Sequence, residues 1–289
     1  MIATHPETTP GPASFRTRLN SRLLWWTMRR IPFERWLASR GSVRTRLLEW
    51  TLLRGDIQVF GGLAPRTRLA ASYFQPWGAQ AFALLTGTHE APVQEALRRH
   101  LPPGGALIDV GSNIGGMALI AAAIVGPEGQ VVALDPQAEC VEAARTNAEH
   151  NGYSHMTVVH AAAGASCGEA EIIVVSDSLW TRAASVGEHE LEIRRDTVGL
   201  ITLDELVASG QARPPDVVKI DVEGAELEVL AGMERLLRDV RPVVICEMHG
   251  KNDAFVEAMG QAGYRVSNLD SPEPIAGGDP NAHALCEPV

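Results

Sequence analysis

Acidic residues close four short apolar runs of this chain, and a histidine joins one of them. Asp109 lies in Ala106-Leu-Ile-Asp-Val110 and Asp135 ends Gln130-Val-Val-Ala-Leu-Asp135. Asp221 and Glu223 lie in Lys219-Ile-Asp-Val-Glu-Gly224, and Glu247 and His249 in Cys246-Glu-Met-His-Gly250. Runs of this length and hydrophobicity read as buried parallel strands. In open α/β sheets, ligands bind beyond the carboxyl ends of such strands. Side chains alternate along a strand, so Asp221 and Glu223 should share one direction, as should Glu247 and His249. The set then converges on one crevice. It could supply a general base for a substrate hydroxyl. It could instead bind Mg²⁺ through the oxygens of Asp221, Glu223 and Glu247. The structural alternative pairs Lys219 with an acid, lets Glu223 favour a helix start, and bonds His249 to backbone.

The first run leads into Gly111-Ser-Asn-Ile-Gly-Gly116 and then an apolar helical stretch, Met117 to Val125. Strand, glycine turn and helix make a nucleotide cradle, because glycine accepts positive φ and a helix start offers unpaired N–H groups. A dinucleotide cradle wants G-x-G-x-x-G for a pyrophosphate. Here Asn113 holds the middle glycine's place, and Asp109 adds negative charge. That suits a cationic ligand such as S-adenosylmethionine, with its sulfonium and ammonium, better than NAD(P). An ordinary tight turn is the plain alternative. Asp135 follows Gly115 by twenty residues, the distance expected of a carboxylate that grips both ribose hydroxyls. It could also cap the helix that begins after Pro136, and the two roles are compatible.

The elements that must position these groups follow in order. Helices are expected over 92–101, 138–151, 224–237 and 252–262, and a short one from Thr202. Strands are expected over 106–110, 130–135, 156–162, 169–175, 216–222, 242–247, 264–268 and 283–286, with short ones at 56–60 and 81–85. The alternation gives a doubly wound α/β class with a mostly parallel sheet. Ala161 and Ala162, at the end of the third core strand, would line the cofactor pocket with Asp221. Residues 176–200 read as a mobile loop over the site.

The chain is 45% hydrophobic and 21% charged, an ordinary globular composition. A net charge of −10 argues against a nucleic-acid partner. Arginines and four of the six tryptophans concentrate before residue 55. Residues 1–14 read as a disordered tail and 15–86 as a helical extension that covers the site or forms a homodimer contact. Contact of its Arg/Trp segment with a membrane surface is the less favoured reading. Cys140, Cys167, Cys246 and Cys286 show no metal or disulfide spacing, and are expected to be buried reduced thiols of a cytoplasmic protein. No secretory signal or membrane-spanning run is evident.

Ile108-Asp-Val-Gly-Ser-Asn-Ile-Gly115, Ala133-Leu-Asp-Pro136 and Lys219-Ile-Asp-Val-Glu-Gly-Ala-Glu226 resemble the FkbM-type family of S-adenosylmethionine-dependent methyltransferases. Cys246-Glu-Met-His249 and Gly87-Thr-His-Glu90 resemble it too. The likeness covers about residues 85–289. It implies a seven-stranded, Rossmann-like class I methyltransferase domain over 87–289 and a small hydroxylated acceptor, a natural product or sugar. Some similar proteins methylate nitrogen. Ser112 stands where the family often has Ala, and Asp135 where it often has Glu. Cofactor contacts are expected from Asp109, Gly111, Ser112, Asn113, Gly115, Asp135, Pro136, Ala161, Ala162 and Asp221. For an alcohol acceptor His249 is the first candidate base, with Glu247 or Glu223 orienting it and Asp221 beside it. A bound metal is the alternative and is not part of the expectation. An NAD(P)-dependent oxidoreductase and a non-catalytic binding protein remain as rival classes.

Overall fold

The computed structural model describes residues 56–59, 62–64, 67–70, 87–174, 181–183 and 194–289. The expected N-terminal tail, the helical extension expected over 15–86 as far as residue 55 and again over 71–86, and the strand expected over 81–85 lie outside the described residues; where that extension is described, at 56–58 and 68–70, it is strand and not helix.

Five apolar strands run parallel at the centre: β3 (Ala106–Val110), β4 (Gln130–Asp135), β5 (Met156–His160), β10 (Val217–Ile220) and β11 (Val243–Glu247). β12 (Tyr264–Asn268) and β13 (His283–Pro288) complete a seven-stranded sheet of order β12-β13-β11-β10-β3-β4-β5. β13, between β11 and β12, is antiparallel to both. β3 and β10 are buried throughout, as a strand covered on both faces must be. One layer of core carries Leu107, Leu119, Val131 and Ile245, the other Ile108, Val132, Val218 and Phe255. From β3 the chain builds outward through β4 and β5, then returns to lay β10 and β11 on the other side. The order reverses at β3/β10, the switch point where such sheets open a ligand crevice.

The covering helices are α1 (Ala91–His100), α2 (Gly116–Val125), α3 (Ala138–Asn151), α4 (Leu203–Ala208), α5 (Glu226–Ala231) and α6 (Asn252–Gln261). The helix expected over 224–237 is instead two pieces. α5 stops at Gly232, where a Cβ would lie 2.0 Å from the Gly164 carbonyl oxygen. A π-helical turn, Leu236–Val240, follows.

The loop expected over 176–200 is partly sheet. β9 (Arg194–Ile201) pairs with β7 (Gly168–Val174), which also pairs with β8 (Thr181–Ala183). With β6 (Ala162–Ala163) they form a second sheet, β6-β9-β7-β8. In β9 only Val198 is fully buried. An antiparallel strand wet on one face can be this polar.

A small hairpin, β1 (Asp56–Gln58) with β2 (Arg68–Ala70), precedes the domain. Asn147 and Asn151 of α3 dock it: Asn147 Oδ1 accepts from the Ala70 N–H at 2.8 Å, and Asn151 Oδ1 from the Arg68 N–H at 2.7 Å. β2 was not expected from the sequence. Cys140, Cys246 and Cys286 are buried, but Cys167 is exposed, which corrects the expectation for that thiol.

Candidate active site

The cradle forms where β3 meets α2. Gly111 has φ +78°, and a Cβ there would lie 1.6 Å from the Asp221 carbonyl oxygen. No side chain fits. This close approach brings the ends of β3 and β10 together, and the Asp221 N–H donates to the Val110 carbonyl at 2.9 Å. Asn113 (φ 51°) and Gly115 (φ 85°) also take left-handed backbone, which turns the chain into α2. No side chain caps α2, so its first N–H groups face the loop unsatisfied by the helix. Ser112 is buried and its hydroxyl has no partner.

Asp135 ties two turns together. Its Oδ2 accepts from the Asn113 N–H and its Oδ1 from the Gln137 N–H, both at 2.8 Å. The cap residue of α3 is Gln137, not Asp135 as the capping alternative had it, and α3 has no side-chain cap bond. Burial pushes the carboxyl up to about 6, against the pull of the two backbone bonds. The Cys140 thiol bonds the same carboxyl and also works to lower it. Pro136 is half-buried, Ala161 is buried and Ala162 opens β6.

Asp109 is fully buried, and neither carboxylate oxygen has a hydrogen-bond partner among the described residues. Lys219 stands beside it in register on β10. Burial raises the Asp109 carboxyl to about 6, and Lys219 opposes the rise. Lys219 is itself buried, which disfavours its charge, but Asp221, Glu90 and Asp109 outweigh this and hold the ammonium charged. Its Nζ donates to Asp221 Oδ2 at 3.2 Å, the ion pair foreseen as a structural role for Lys219.

Beyond β10 and β11 the acids converge with His249, by a route the strand pattern did not give. β10 ends at Ile220. Glu223 then takes φ 50°, so a left-handed turn, not strand alternation, aims it. Its Oε2 lies 3.6 Å from His249 Nε2, and Asp221 Oδ1 lies 4.0 Å away. The residue that orients His249 is Glu226, rather than the expected Glu247 or Glu223. Glu226 Oε1 lies 2.8 Å from His249 Nδ1 and also accepts from the Gly224 N–H at 2.9 Å. Burial works to raise the Glu226 carboxyl, but the bond to His249 and backbone N–H groups hold it below the usual range. A carboxylate only accepts, so Nδ1 carries the proton and Nε2 presents its lone pair to the crevice. Burial would lower the imidazole's pKa, yet Glu226, Glu223 and Asp221 raise it.

Glu247 ends β11 opposite His283 of β13, with Oε2 at 3.7 Å from His283 Nε2. Burial, then the charges of Asp221 and Glu90, push its carboxyl up to about 8. Glu90 enters from the turn before α1. Gly87 and His89 offer their carbonyls to the buried Gln94 amide, at 3.3 and 2.6 Å, and this pins the turn. Although burial opposes it, Lys219 and His89 hold the Glu90 carboxyl down to about 2. The oxygen-only metal set named as an alternative, Asp221, Glu223 and Glu247, does not meet among the described residues, whereas donor atoms of Asp221, Glu247 and His249 lie within 4.8 Å of one another. Sequence reasoning missed Glu226, Glu90 and His283. The first two lie inside the family-like motifs, and His283 opens an expected strand, so position was visible but not partnership.

The family model of the methyltransferase FkbM domain matches residues 109–266. The chain belongs to the FkbM methyltransferase family. Hexuronic acid methyltransferase AglP of Haloferax volcanii is 34% identical over 148 residues, which is 51% of this chain and 57% of that protein. The chain therefore matches over half, but less than two thirds, of that relative's length. Among solved structures, methyltransferase FkbM from Methylobacillus flagellatus KT is 15% identical with a TM-score of 0.44, over 71% of this chain and 53% of that one. Fibrillarin of Aeropyrum pernix, with natively bound S-adenosyl-L-methionine, is 10% identical with a TM-score of 0.39, over 65% of this chain and 68% of that one. In this FkbM-family chain the matched region begins at Asp109 and includes the glycine loop, Asp135, Asp221, Glu223, Glu226, Glu247 and His249. Glu90 and His283 lie outside it.

Proposed function

We propose that this FkbM-family chain binds S-adenosylmethionine in the Gly111–Gly115 cradle and methylates a hydroxyl of a sugar or natural product, with His249 as proton acceptor. The residues present fit the cofactor. Gly111 lets the ends of β3 and β10 approach closely, which sets the floor of the cradle. The partnerless oxygens of Asp109 suit a cationic ligand, and the Ser112 hydroxyl is likewise free to bond. Asp135, Pro136, Ala161 and Ala162 border the same end of the sheet. When bound, S-adenosylmethionine supplies an electrophilic methyl group.

The observation that carries the reading is the Glu226–His249 pair at the mouth of the β3/β10 crevice. An alcohol is a weak nucleophile, and its proton must leave as the new bond forms. His249 Nε2 can take that proton, because Glu226 fixes the tautomer and stabilises the imidazolium that results. Asp221 and Glu223 add negative charge near the same nitrogen. A sugar acceptor draws further support from the hexuronic acid specificity named for AglP. The test is transfer of labelled methyl from S-adenosylmethionine to a panel of hexuronic acids, neutral glycosides and amines. Label on oxygen, lost in His249→Ala, supports the proposal; label on nitrogen, or undiminished transfer by His249→Ala, overturns it.

A further inference from the structure

A second carboxylate–histidine unit faces the same crevice from β13. Asp270 accepts from the His283 backbone N–H at 2.8 Å, and its Oδ2 lies 3.0 Å from His283 Nδ1. The ionised acid requires Nδ1 to donate, which leaves Nε2 with a lone pair. That Nε2 is buried and has no hydrogen-bond partner among the described residues. Its charged neighbour is Glu247 Oε2 at 3.7 Å, beyond hydrogen-bond reach. On the far side, Glu90 Oε1 is taken by His89 Nε2 at 2.8 Å, while Glu90 Oε2 is buried and partnerless. Donor atoms of two carboxyl groups and an imidazole thus gather in one place. Lys219 supplies positive charge nearby, but it leaves Glu90 Oε2 and His283 Nε2 without a bond, and both have lost their hydration. If Nε2 carried the proton instead, it would still lack an acceptor. A cation satisfies all three at once.

We propose that Glu90, Glu247 and His283 form a binding site for a divalent first-row transition-metal ion, with Asp270 as the residue that positions the histidine. Donor atoms of the three lie within 4.8 Å of one another. Bonds of about 2.1 Å place opposite donors about 4.2 Å apart, so a small inward turn of a glutamate closes the set. A mixed imidazole and carboxylate set favours Mn²⁺, Fe²⁺ or Zn²⁺ over the oxygen-seeking Mg²⁺. A carboxylate behind the imidazole is the usual support of a metal-bound histidine. The three side chains are 13%, 24% and 14% exposed, so solvent reaches part of each. The site goes beyond the proposed methyl transfer and does not depend on it.

The test uses the full chain stripped with EDTA and titrated with MnCl₂ alone. Free Mn²⁺ is read by its electron paramagnetic resonance signal, and bound Mn²⁺ by the pulsed nitrogen coupling of a directly bonded imidazole. The expected result is one tightly bound Mn²⁺ with a nitrogen coupling that survives His249→Ala and disappears in His283→Ala. Glu90→Gln should weaken binding at least about tenfold, and Asp270→Asn about 10–100-fold with an unchanged melting temperature. Should His283→Ala fold poorly, Glu90→Gln and Asp270→Asn decide the matter in its place. Wild-type protein that leaves Mn²⁺ free up to about 1 mM, a range far above that of a dedicated site, overturns the proposal. So does binding that needs His249 but neither Glu90 nor His283.

Discussion

Replacing Asp109 by asparagine should stabilise the empty fold above pH 6 while weakening the cradle. The Asp109 carboxyl is fully buried without a hydrogen-bond partner, and burial raises it from 3.8 to about 6. That rise corresponds to about 3 kcal/mol of cost for the ionised form in the folded state. The native state therefore keeps a proton that the unfolded chain releases. The group's relative penalty is absent below pH 4, grows as pH rises to 6, and is full above that. Asparagine imitates the neutral acid at every pH. Asp109→Asn should gain up to about 3 kcal/mol at pH 8, about 6–12 °C in melting temperature for a domain of this size, and almost nothing at pH 4. Thermal melts from pH 4 to 8 measure it, with and without S-adenosylhomocysteine. The ligand should raise the melting temperature of the wild type more than that of the variant. A variant less stable than wild type at pH 8 would refute the reasoning, because it would mean the carboxylate is well paired in the fold.

Other changes follow from the same geometry. Gly111→Ala should abolish folding or cofactor binding, since its Cβ would fall 1.6 Å from backbone; soluble yield and calorimetry report it. Glu226→Gln should lower turnover about 10²-fold with little change in S-adenosylmethionine affinity, the split expected when a base loses its orienting partner. Unchanged turnover would remove Glu226 from that role. Asp135→Ala should weaken S-adenosylhomocysteine binding by about 1–3 kcal/mol, as two turns lose their shared acceptor. Asn147→Ala should cost about 1–3 kcal/mol and speed hydrogen exchange at Ala70, because the Asn147 amide holds both Ala70 and the Ile114 carbonyl; unchanged exchange at Ala70 would count against the docking role.

The central sheet was legible because Ala106–Val110, Gln130–Asp135 and Val243–Glu247 are apolar enough to lie buried between helices. The cradle was legible because only glycine tolerates Gly111's backbone and its contact with Asp221. β9 was not, since seven of its eight residues are not fully buried and its pairing with β7 is a long-range fact. The break after Ala231 was hidden for a similar reason: Gly232, where it falls, packs against the Gly164 carbonyl, 68 residues earlier in the chain. His249 was picked out from strand alternation, yet a left-handed turn at Glu223 and the buried Glu226 build its surroundings. Composition marks which groups can titrate, while their partners depend on how β10, β11 and β13 lie side by side.

Calorimetric titration of the purified chain with S-adenosylhomocysteine, and separately with NADH, tests the central claim most directly. The account predicts a single site for S-adenosylhomocysteine, none for NADH, and near wild-type affinity in His249→Ala, whose side chain acts on the acceptor and not on the cofactor. Heat from NADH with silence from S-adenosylhomocysteine would contradict it.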